Sequence, residues 1–282
     1  MDVQLLAVPY DSGNYRARMG AGPEALLAAG LEQALREKGH RVHTKIAELP
    51  AGEWSAEIRT GFELMRMLSV GVREAVDAGR FPIVLAGNCN TSVGTVSGLG
   101  KGTGIAWFDA HADFNTPETT TSGFLDGTAV AILTGRCWTR MAATVPDFAP
   151  VPDRAVCLVG TRDIDSLEAA LLDESGVDVI EPKSLRARLR PTLAAIAEHA
   201  DRIYVHLDLD VLDAGVARAN SYAVGGGLNL DDVEFAFAEI ARSNRIAGVT
   251  LSAYDPAVDP DGAAANAAIR LICAAAGFAG DS

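Results

Sequence analysis

The chain has 282 residues, of which 49% are hydrophobic and 22% are charged, and its net charge at pH 7 is -13. This length and composition predict a well-packed globular protein and exclude a disordered one. The acidic balance, without a basic cluster, argues against nucleic acid and anionic membranes as partners, because their phosphates would meet no counter-charge. These properties favour an enzyme that acts on a small molecule.

The amino terminus turns from apolar to polar within about ten residues, which is too short for a signal sequence or a spanning helix, so a cytoplasmic protein is expected. The four cysteines are Cys89, Cys137, Cys157 and Cys273. They form no C-x-x-C pair and are too sparse for a disulfide framework. Buried hydrophobic roles are therefore expected for all of them except Cys89, which lies in a polar segment.

Short apolar runs alternate with helical patterns along the chain, which predicts a parallel sheet covered by helices on both faces. Eight strands are predicted near QLLAVPY, RVHTKIAEL, FPIVLAGN, GIAWFDAHAD, AVCLVGTRD, VDVIEP, RIYVHLDLD and AGVTLSAYD. The helices include PEALLAAGLEQALREKG, opened by Gly22-Pro23, then LDDVEFAFAEIARS and a closing DGAAANAAIRLICAAAG. Because no Pro/Ser/Gly linker interrupts the pattern, a single domain over residues 1–282 is expected.

Polar side chains follow four of the predicted strands, in AGNCNTS, DAHADFNT, GTRDID and HLDLDVLD. Ligands of open parallel sheets collect at the carboxyl edge of the strands. The four segments are therefore expected to converge on one site.

Two of these strand ends carry alternating metal-binding groups. Asp109, His111 and Asp113 occupy every second position, as do Asp208 and Asp210, so each set leaves one face of an extended chain. Carboxylates cannot stay ionised together in a dry crevice unless cations lie between them. Oxygen ligands with one imidazole suit manganese, magnesium or iron(II), and five groups exceed the needs of one ion. Two bridged ions are predicted.

The segments DAHADFNTPETTTSGFLDG and HLDLDVLD resemble the two signature segments of the arginase/agmatinase (ureohydrolase) superfamily. The AGP-headed first helix, AGNCNTSVG, GTRDID and GGGLNLDDV extend the resemblance over most of the chain. It implies an arginase/deacetylase-like three-layer α/β/α sandwich with an eight-stranded, mostly parallel sheet. It also implies a metal-dependent C–N hydrolase of linear amidines with two Mn²⁺ ions, Fe²⁺ or Zn²⁺ being the alternatives, in a homo-oligomer of three or six subunits.

The resemblance also assigns the ligands. It implies that Asp109 and Asp208 bridge the ions, that His111 and Asp210 complete one site, and that Asp113 belongs to the other. Cys89 stands in AGNCN where the family has a histidine. A thiolate is a competent ligand that shifts preference toward zinc or iron, although an inert buried thiol is the alternative. The N-omega-hydroxyarginine-hydrolysing branch of the family is similar in this replacement.

Four residues match the family's substrate contacts. Asn115 and Ser122 match the residues that hold an α-carboxylate, and Asp165, with Glu168 nearby, matches the one that holds an α-ammonium. An amide and a hydroxyl can donate to a carboxylate, and an acid can pair with an ammonium. The match favours an α-amino acid with a guanidino-type group over agmatine, although turn formation and helix capping explain some of these residues individually.

Two positions depart from the arginase pattern. Asp126 replaces the proton-shuttling histidine, and a raised pKa would be required for it to deliver a proton near pH 7. Ala253 replaces the glutamate that lies near the guanidinium, and the sequence leaves open whether Asp255 reaches the pocket instead. Tyr222 stands where the family often has threonine. A substrate less basic than arginine is therefore expected.

The leading hypothesis is hydrolysis of N-omega-hydroxy-L-arginine, or of arginine, to ornithine plus hydroxyurea or urea, with Asp113, Asp126 and Asp210 as catalytic residues. The alternatives are a hydrolase of another guanidino or formimino acid and a catalytically retired metal-binding member. His206 is expected either to orient a metal ligand or to be a hydrogen-bonded core histidine. The run Gly225–Gly227 is predicted to form a tight loop beside the site and not a phosphate cradle.

Overall fold

The computed structural model describes residues 1–49 and 56–280. Its strands are β1 (Asp2–Val8), β2 (Tyr10–Asp11), β3 (Asn14–Tyr15), β4 (Arg41–Ile46), β5 (Phe81–Ala86), β6 (Thr103–Phe108), β7 (Val156–Val159), β8 (Asp178–Ile180), β9 (Arg202–Asp208) and β10 (Arg245–Ser252). Its helices are α1 (Gly22–Ala28), α2 (Leu31–Glu37), α3 (Glu57–Asp77), α4 (Ser92–Leu99), α5 (Ala129–Leu133), α6 (Thr139–Ala142), α7 (Ser166–Asp173), α8 (Leu185–Ile196), α9 (Leu230–Ser243) and α10 (Ala263–Gly280).

The central sheet has eight strands in the order β4-β1-β5-β10-β9-β6-β7-β8. All its neighbouring strands pair in parallel. Each of the eight predicted strands is a member of this sheet, and β2 and β3 form a separate antiparallel hairpin. Apolar runs without alternation predicted this result because both faces of a parallel sheet are buried.

Helices cover the two faces of the sheet. On one face, α3 packs against β1, β5 and α4, and α4 contacts β10 and α5. On the other, α10 contacts β10, α9, α1 and α2, and α8 lies beside α9. The predicted three-layer α/β/α sandwich is confirmed. The largest fully buried side chains include Trp107, Tyr204, Phe62, Phe108 and Phe237.

The prediction of one continuous helix over PEALLAAGLEQALREKG is wrong. The segment forms two helices, α1 and α2, separated at Gly30, which has φ +99°. A left-handed residue ends an α-helix, and glycine adopts this conformation without a Cβ penalty. Pro23 does open α1 as predicted, and α9 has the predicted bounds.

The closing helix α10 is long and apolar enough, by length and composition, to cross a membrane. Its Ala264, Ala268, Leu271, Ile272 and Ala275 are buried, and the helix packs on β10 and α9. Core helices pass the same compositional test, and the packing accounts for this one as part of the outer layer.

The strands of a parallel sheet all end at the same edge, and this property determines where the polar segments that follow them lie. Strand β6 ends at Phe108, directly before Asp109, and its neighbour β9 ends at Asp208. Strand β10, on the other side of β9, ends at Ser252, directly before Ala253. The polar segments that follow the central strands therefore share one edge of the sheet.

Candidate metal centre and substrate pocket

A cavity of about 230 Å³ opens at the carboxyl edge of the central strands. The residues predicted from the sequence that line it are Cys89, Asp109, His111, Asp113, Asn115, Ser122, Asp126, Asp165, Glu168, Asp208 and Asp210. The structure thus brings together all the residues predicted for metal binding, catalysis and substrate binding. Their individual roles remain predictions.

The first group of potential metal ligands comprises Asp109, His111 and Asp210. One donor atom of each lies within 4.8 Å of the others. His111 Nδ1 is 3.2 Å from Asp109 Oδ1 and 3.5 Å from Asp210 Oδ2. The imidazole is partly exposed, whereas both carboxylates are buried, so this group faces the mouth of the cavity.

The second group lies deeper and comprises Cys89, Asp109, His206 and Asp208, whose donor atoms also lie within 4.8 Å of one another. Cys89 Sγ donates to Asp208 Oδ2 at 3.0 Å and lies 3.2 Å from Ser252 Oγ. All four ligand candidates are buried. Asp109 belongs to both groups, as a bridging ligand requires.

Asp113 lies outside both groups, although the resemblance predicts it as a ligand. Its backbone has φ +50°, a conformation that is costly for a non-glycine residue and is retained mainly at functional sites. Its Oδ2 atom is buried and has no hydrogen-bond partner among the described residues. An ionised oxygen in this state needs a cation or a bound ligand.

The charges of the cavity favour cation binding. Burial raises the pKa of Asp109 to about 6, with the Asp210 charge adding to the effect, and raises those of Asp113 and Asp208 well above the usual range. Burial lowers the pKa of His111, but its hydrogen bond to Asp109 and the nearby carboxylates outweigh this and raise it to about 10. Burial and Asp208 raise the pKa of Cys89. Divalent cations would offset this repulsion, so the donor set fits the metals that the family uses.

The predicted substrate contacts form one side of the cavity. Asn115 Nδ2 lies 3.4 Å from Asp165 Oδ2, and Ser122 is exposed in the loop that follows Asn115. Asp165 and Glu168 form the capping box of α7, and Glu168 also accepts from the backbone N–H of Phe114 at 2.7 Å. These two acids therefore do cap α7, and the capping hydrogen bonds fix their position in the cavity wall.

Asp126 is held by the segment that contains Cys89. Its Oδ2 accepts from Asn88 Nδ2 at 2.8 Å and its Oδ1 from the backbone N–H of Asn90 at 2.8 Å. Burial raises the pKa of this carboxyl to about 7 despite these two hydrogen bonds. Gly87, directly before Asn88, lets this segment lie against Tyr10, because a Cβ there would lie 2.2 Å from the Tyr10 carbonyl oxygen.

Ala253 lines the cavity, whereas Asp255 does not. Asp255 caps a short 3-10 helix by accepting from the backbone N–H of Ala257 at 2.9 Å, so it is no substitute for the missing glutamate. Tyr222 also lines the cavity. Asn220, which the sequence did not single out, donates to the Ala253 carbonyl at 2.9 Å and accepts from the Tyr222 N–H at 2.8 Å.

Further cavity residues were missed in the sequence, namely Asp11, Ser12, Met19, Phe124 and Asp163. Two of them lie in segments that the sequence had already marked: Asp163 in the polar strand end GTRDID and Phe124 in the signature segment DAHADFNTPETTTSGFLDG. The glycine run behaves as predicted: the N–H groups of Gly226 and Gly227 donate to Asp213, which closes a tight loop.

A parallel α/β/α sandwich with this carboxylate-rich pocket at its carboxyl edge has the groups that a metal-dependent hydrolase requires. A sequence profile described as the arginase family matches residues 1–277. An arginase from Brucella melitensis biotype 1 is 30% identical over 98% of this chain and 96% of its own, and one from Agrobacterium fabrum is 31% identical over 92% and 86%. The crystal structure of an arginase from Bacillus cereus superposes with a TM-score of 0.88 at 25% identity over 98% of both chains.

The chain therefore belongs to the arginase family. Members of this family are metal-dependent ureohydrolases, and this protein is an enzyme of that class.

Proposed function

We propose that this enzyme hydrolyses N-omega-hydroxy-L-arginine to ornithine and hydroxyurea. The observation that carries the proposal is Ala253, a buried cavity residue at the position where the family resemblance places a glutamate. With Asp255 engaged as a helix cap, the end of β10 offers no carboxylate to a fully charged guanidinium. An N-hydroxyguanidine is less basic and depends less on such a partner.

The amino-acid end of the substrate is assigned to the loop after β6 and to the start of α7. Asn115 and Ser122 can donate hydrogen bonds to an α-carboxylate, and Asp165 can accept from an α-ammonium. The contact of Asn115 with Asp165 supports this assignment, because the two substrate groups lie on one carbon atom. Glu168 positions Asp165 through the capping box.

Cys89, Asp109, His111, Asp113, Asp208 and Asp210 are assigned to hold two divalent cations. When bound, such cations acidify water and polarise the carbon that is attacked. Hydrolysis breaks the bond between the guanidino carbon and the side-chain nitrogen, and that nitrogen must gain a proton to leave as an amine. Asp126 is assigned to deliver it, since burial raises the pKa of its carboxyl to about 7, near the value that suits proton transfer at neutral pH.

Arginine is the second candidate substrate. The relatives compared above are named arginases, and the groups assigned to the α-amino acid are equally suited to arginine. Hydrolysis of another guanidino or formimino acid and a binding role without turnover remain the further alternatives. Manganese as the resident ion and assembly into trimers or hexamers belong to the proposal as well, and metal analysis and light scattering would test them.

Substrate preference tests the proposal. Metal-loaded enzyme is incubated separately with hydroxyarginine, arginine and agmatine, and ornithine is quantified by mass spectrometry. We expect kcat/KM to be at least about tenfold higher for hydroxyarginine than for arginine, a difference of roughly 1.4 kcal/mol in transition-state stabilisation. Ornithine from arginine alone would contradict the proposal.

The variant Ala253→Glu places the missing carboxylate at the end of β10. It should shift the preference toward arginine by about tenfold or more, because the new charge pairs with the guanidinium. Ala253→Gln controls for side-chain size, since it adds similar volume without the charge. Equal shifts in both variants would assign the effect to shape and remove the electrostatic argument.

A further inference from the structure

His206 extends the alternation of the second acidic strand end by one step. Residues 206, 208 and 210 lie two positions apart, so the segment reads H-x-D-x-D. His206 and Asp208 both belong to β9 and share one strand face, whereas Asp210 follows in a 3-10 turn. The structure places its ring beside Cys89, Asp109 and Asp208, with one donor atom of each within 4.8 Å of the others.

The His206 ring is held by a stacked aromatic side chain and by a hydrogen bond at Nδ1. Trp107 stacks on it with a centroid distance of 3.5 Å, which fixes the ring plane. His206 Nδ1 lies 2.8 Å from Ser92 Oγ, and Ser92 in turn accepts from Tyr204 Oη at 2.7 Å. In metal-binding histidines a hydrogen bond at one ring nitrogen sets the tautomer and the ring orientation while the other nitrogen binds the ion.

The second ring nitrogen and the Cys89 thiol approach the same serine hydroxyl. His206 Nε2 lies 3.3 Å from Ser252 Oγ, which is itself 3.2 Å from Cys89 Sγ. The inner group thus offers one sulfur, one nitrogen and two carboxylates, four donors in a dry setting. Sulfur and nitrogen donors favour zinc or iron(II), whereas the outer group of Asp109, His111 and Asp210 suits manganese better.

We propose that His206 is a metal ligand of the inner position, together with Cys89, Asp109 and Asp208, and that this position selects a thiolate-binding divalent cation of the zinc or iron(II) type. The inference rests on the proposed metal centre and deepens it, because it makes the two positions chemically unequal. The family resemblance places Asp113 on the ion bound by Cys89. In the proposed arrangement His206 is a further ligand of that ion, and Asp113, whose Oδ2 atom has no hydrogen-bond partner among the described residues, keeps its assignment to the metal centre.

X-ray absorption at the zinc edge tests the ligand assignment. The variant His111→Asn removes the other imidazole of the cavity and leaves the buried residues intact. Loaded with one equivalent of zinc, it should show one sulfur neighbour and the multiple scattering of one imidazole. Sulfur without imidazole would overturn the role of His206, and a zinc ion without sulfur would overturn the inner position itself.

A second experiment separates a ligand from a merely structural histidine. His206→Asn keeps a hydrogen-bonding group near Ser92 but removes Nε2, and it should weaken zinc binding by at least about tenfold in chelator competition. The spectrum of the cobalt(II)-substituted protein should retain the thiolate charge-transfer band and change its ligand-field bands. Unchanged zinc affinity and an unchanged cobalt spectrum would contradict the proposal.

Asp113→Asn is the matched comparison, because it alters the ligand that the resemblance would put in the same place. We expect it to lower inner-site zinc affinity less than His206→Asn does, and the reverse order would overturn the inference. If wild-type protein binds neither zinc, iron(II) nor manganese, the proposed metal centre fails. If it binds two ions equally well without the His206 imidazole, only the further inference fails.

Discussion

At the scale of single residues, the cavity differs from the family pattern through a few substitutions that support one another. Asp126 lies against Asn88 and the Asn90 N–H, and both of these groups are donors. A protonated histidine in place of Asp126 would face them with further donors, whereas a carboxylate accepts from both. The residues that flank Cys89 are therefore suited to hold an acid at position 126.

Asp126→Asn should lower kcat by about 10²- to 10⁴-fold with little change in KM, because it removes the proton donor while keeping the size of the side chain. Stopped assays of ornithine formation with the metal-loaded variant would measure this. Asp255→Asn is the control, since an asparagine caps the 3-10 helix equally well and lies outside the cavity. A kcat within about threefold of wild type in Asp126→Asn would assign proton delivery to another group.

At the scale of elements, the loops after the strands depend on one guanidinium. Arg162 donates to the carbonyl oxygens of Asp210, Val224 and Gly225 at 2.9 to 3.1 Å, and also to those of Gly160 and Leu212. These carbonyls belong to the ends of β7 and β9 and to the glycine loop. A single side chain thus fixes the segment that carries Asp208 and Asp210.

Arg162→Met should lower the free energy of unfolding by about 3 kcal/mol or more, because it leaves several partly buried carbonyl groups without a hydrogen-bond donor. It should also weaken metal binding by roughly 10- to 100-fold through the displaced ligands. Chemical denaturation and chelator competition would measure the two effects. Arg186→Met is the control. It breaks an exposed ion pair with Asp232 and should lower the free energy of unfolding by less than about 1 kcal/mol. Equal losses in the two variants would contradict a special role for Arg162.

The patterns of whole strands and helices also explain which parts of the fold could be predicted from the sequence. Buried strands have a strong pattern, so eight strands and the edge at which they end were predictable from apolar runs followed by polar groups. The break at Gly30 was missed because a glycine inside a helical pattern costs only about 1 kcal/mol and is often tolerated. Asp255 could have been recognised as a cap, since it directly precedes Pro256 at the start of a helical turn.

The surroundings of His206 could not be predicted in this way. Its neighbours Trp107, Ser92 and Ser252 come from β6, α4 and β10, so they are distant along the chain and meet only in the folded sheet. Sequence spacing reports which residues share a face of one strand. It does not report which polar side chains of other elements complete the environment of a buried ring.

At the scale of the whole molecule, folding concentrates acidic groups in one cavity of a protein whose net charge is already -13. Burial raises the pKa of Asp109 to about 6 and those of Asp126 and Glu168 to about 7. In the metal-free protein these carboxyls hold protons that the unfolded chain releases near pH 4. The free energy of unfolding must therefore fall as pH rises from about 4 to 7.

His111 acts in the same direction at higher pH. The pKa of its imidazole is raised to about 10 in the metal-free protein, so the stability from its ion pairs is complete below about pH 6.5 and is lost as pH rises through 10. Carboxyls with lowered pKa values, such as Asp153, stabilise the fold increasingly as pH rises. This increase ends near pH 4 to 5, where the same carboxyls of the unfolded chain are ionised. Burial lowers the pKa values of His206 and His40, which opposes the trend only up to about pH 6.5. The three carboxyls and His111 outnumber these two groups, so the free energy of unfolding should fall between pH 5.5 and 8.

Metal-free protein should therefore lose on the order of 5–10 °C in Tm between pH 5.5 and 8, as measured by differential scanning calorimetry after treatment with a chelator. Protein loaded with divalent cations should show the opposite trend, since the cations bind the ionised carboxylates and their affinity increases as protons leave. Asp126→Asn removes one titrating group and should flatten the metal-free slope. A Tm of the metal-free protein that stays constant or rises over this range would show that the clustered carboxyls are not the main opponents of folding at neutral pH.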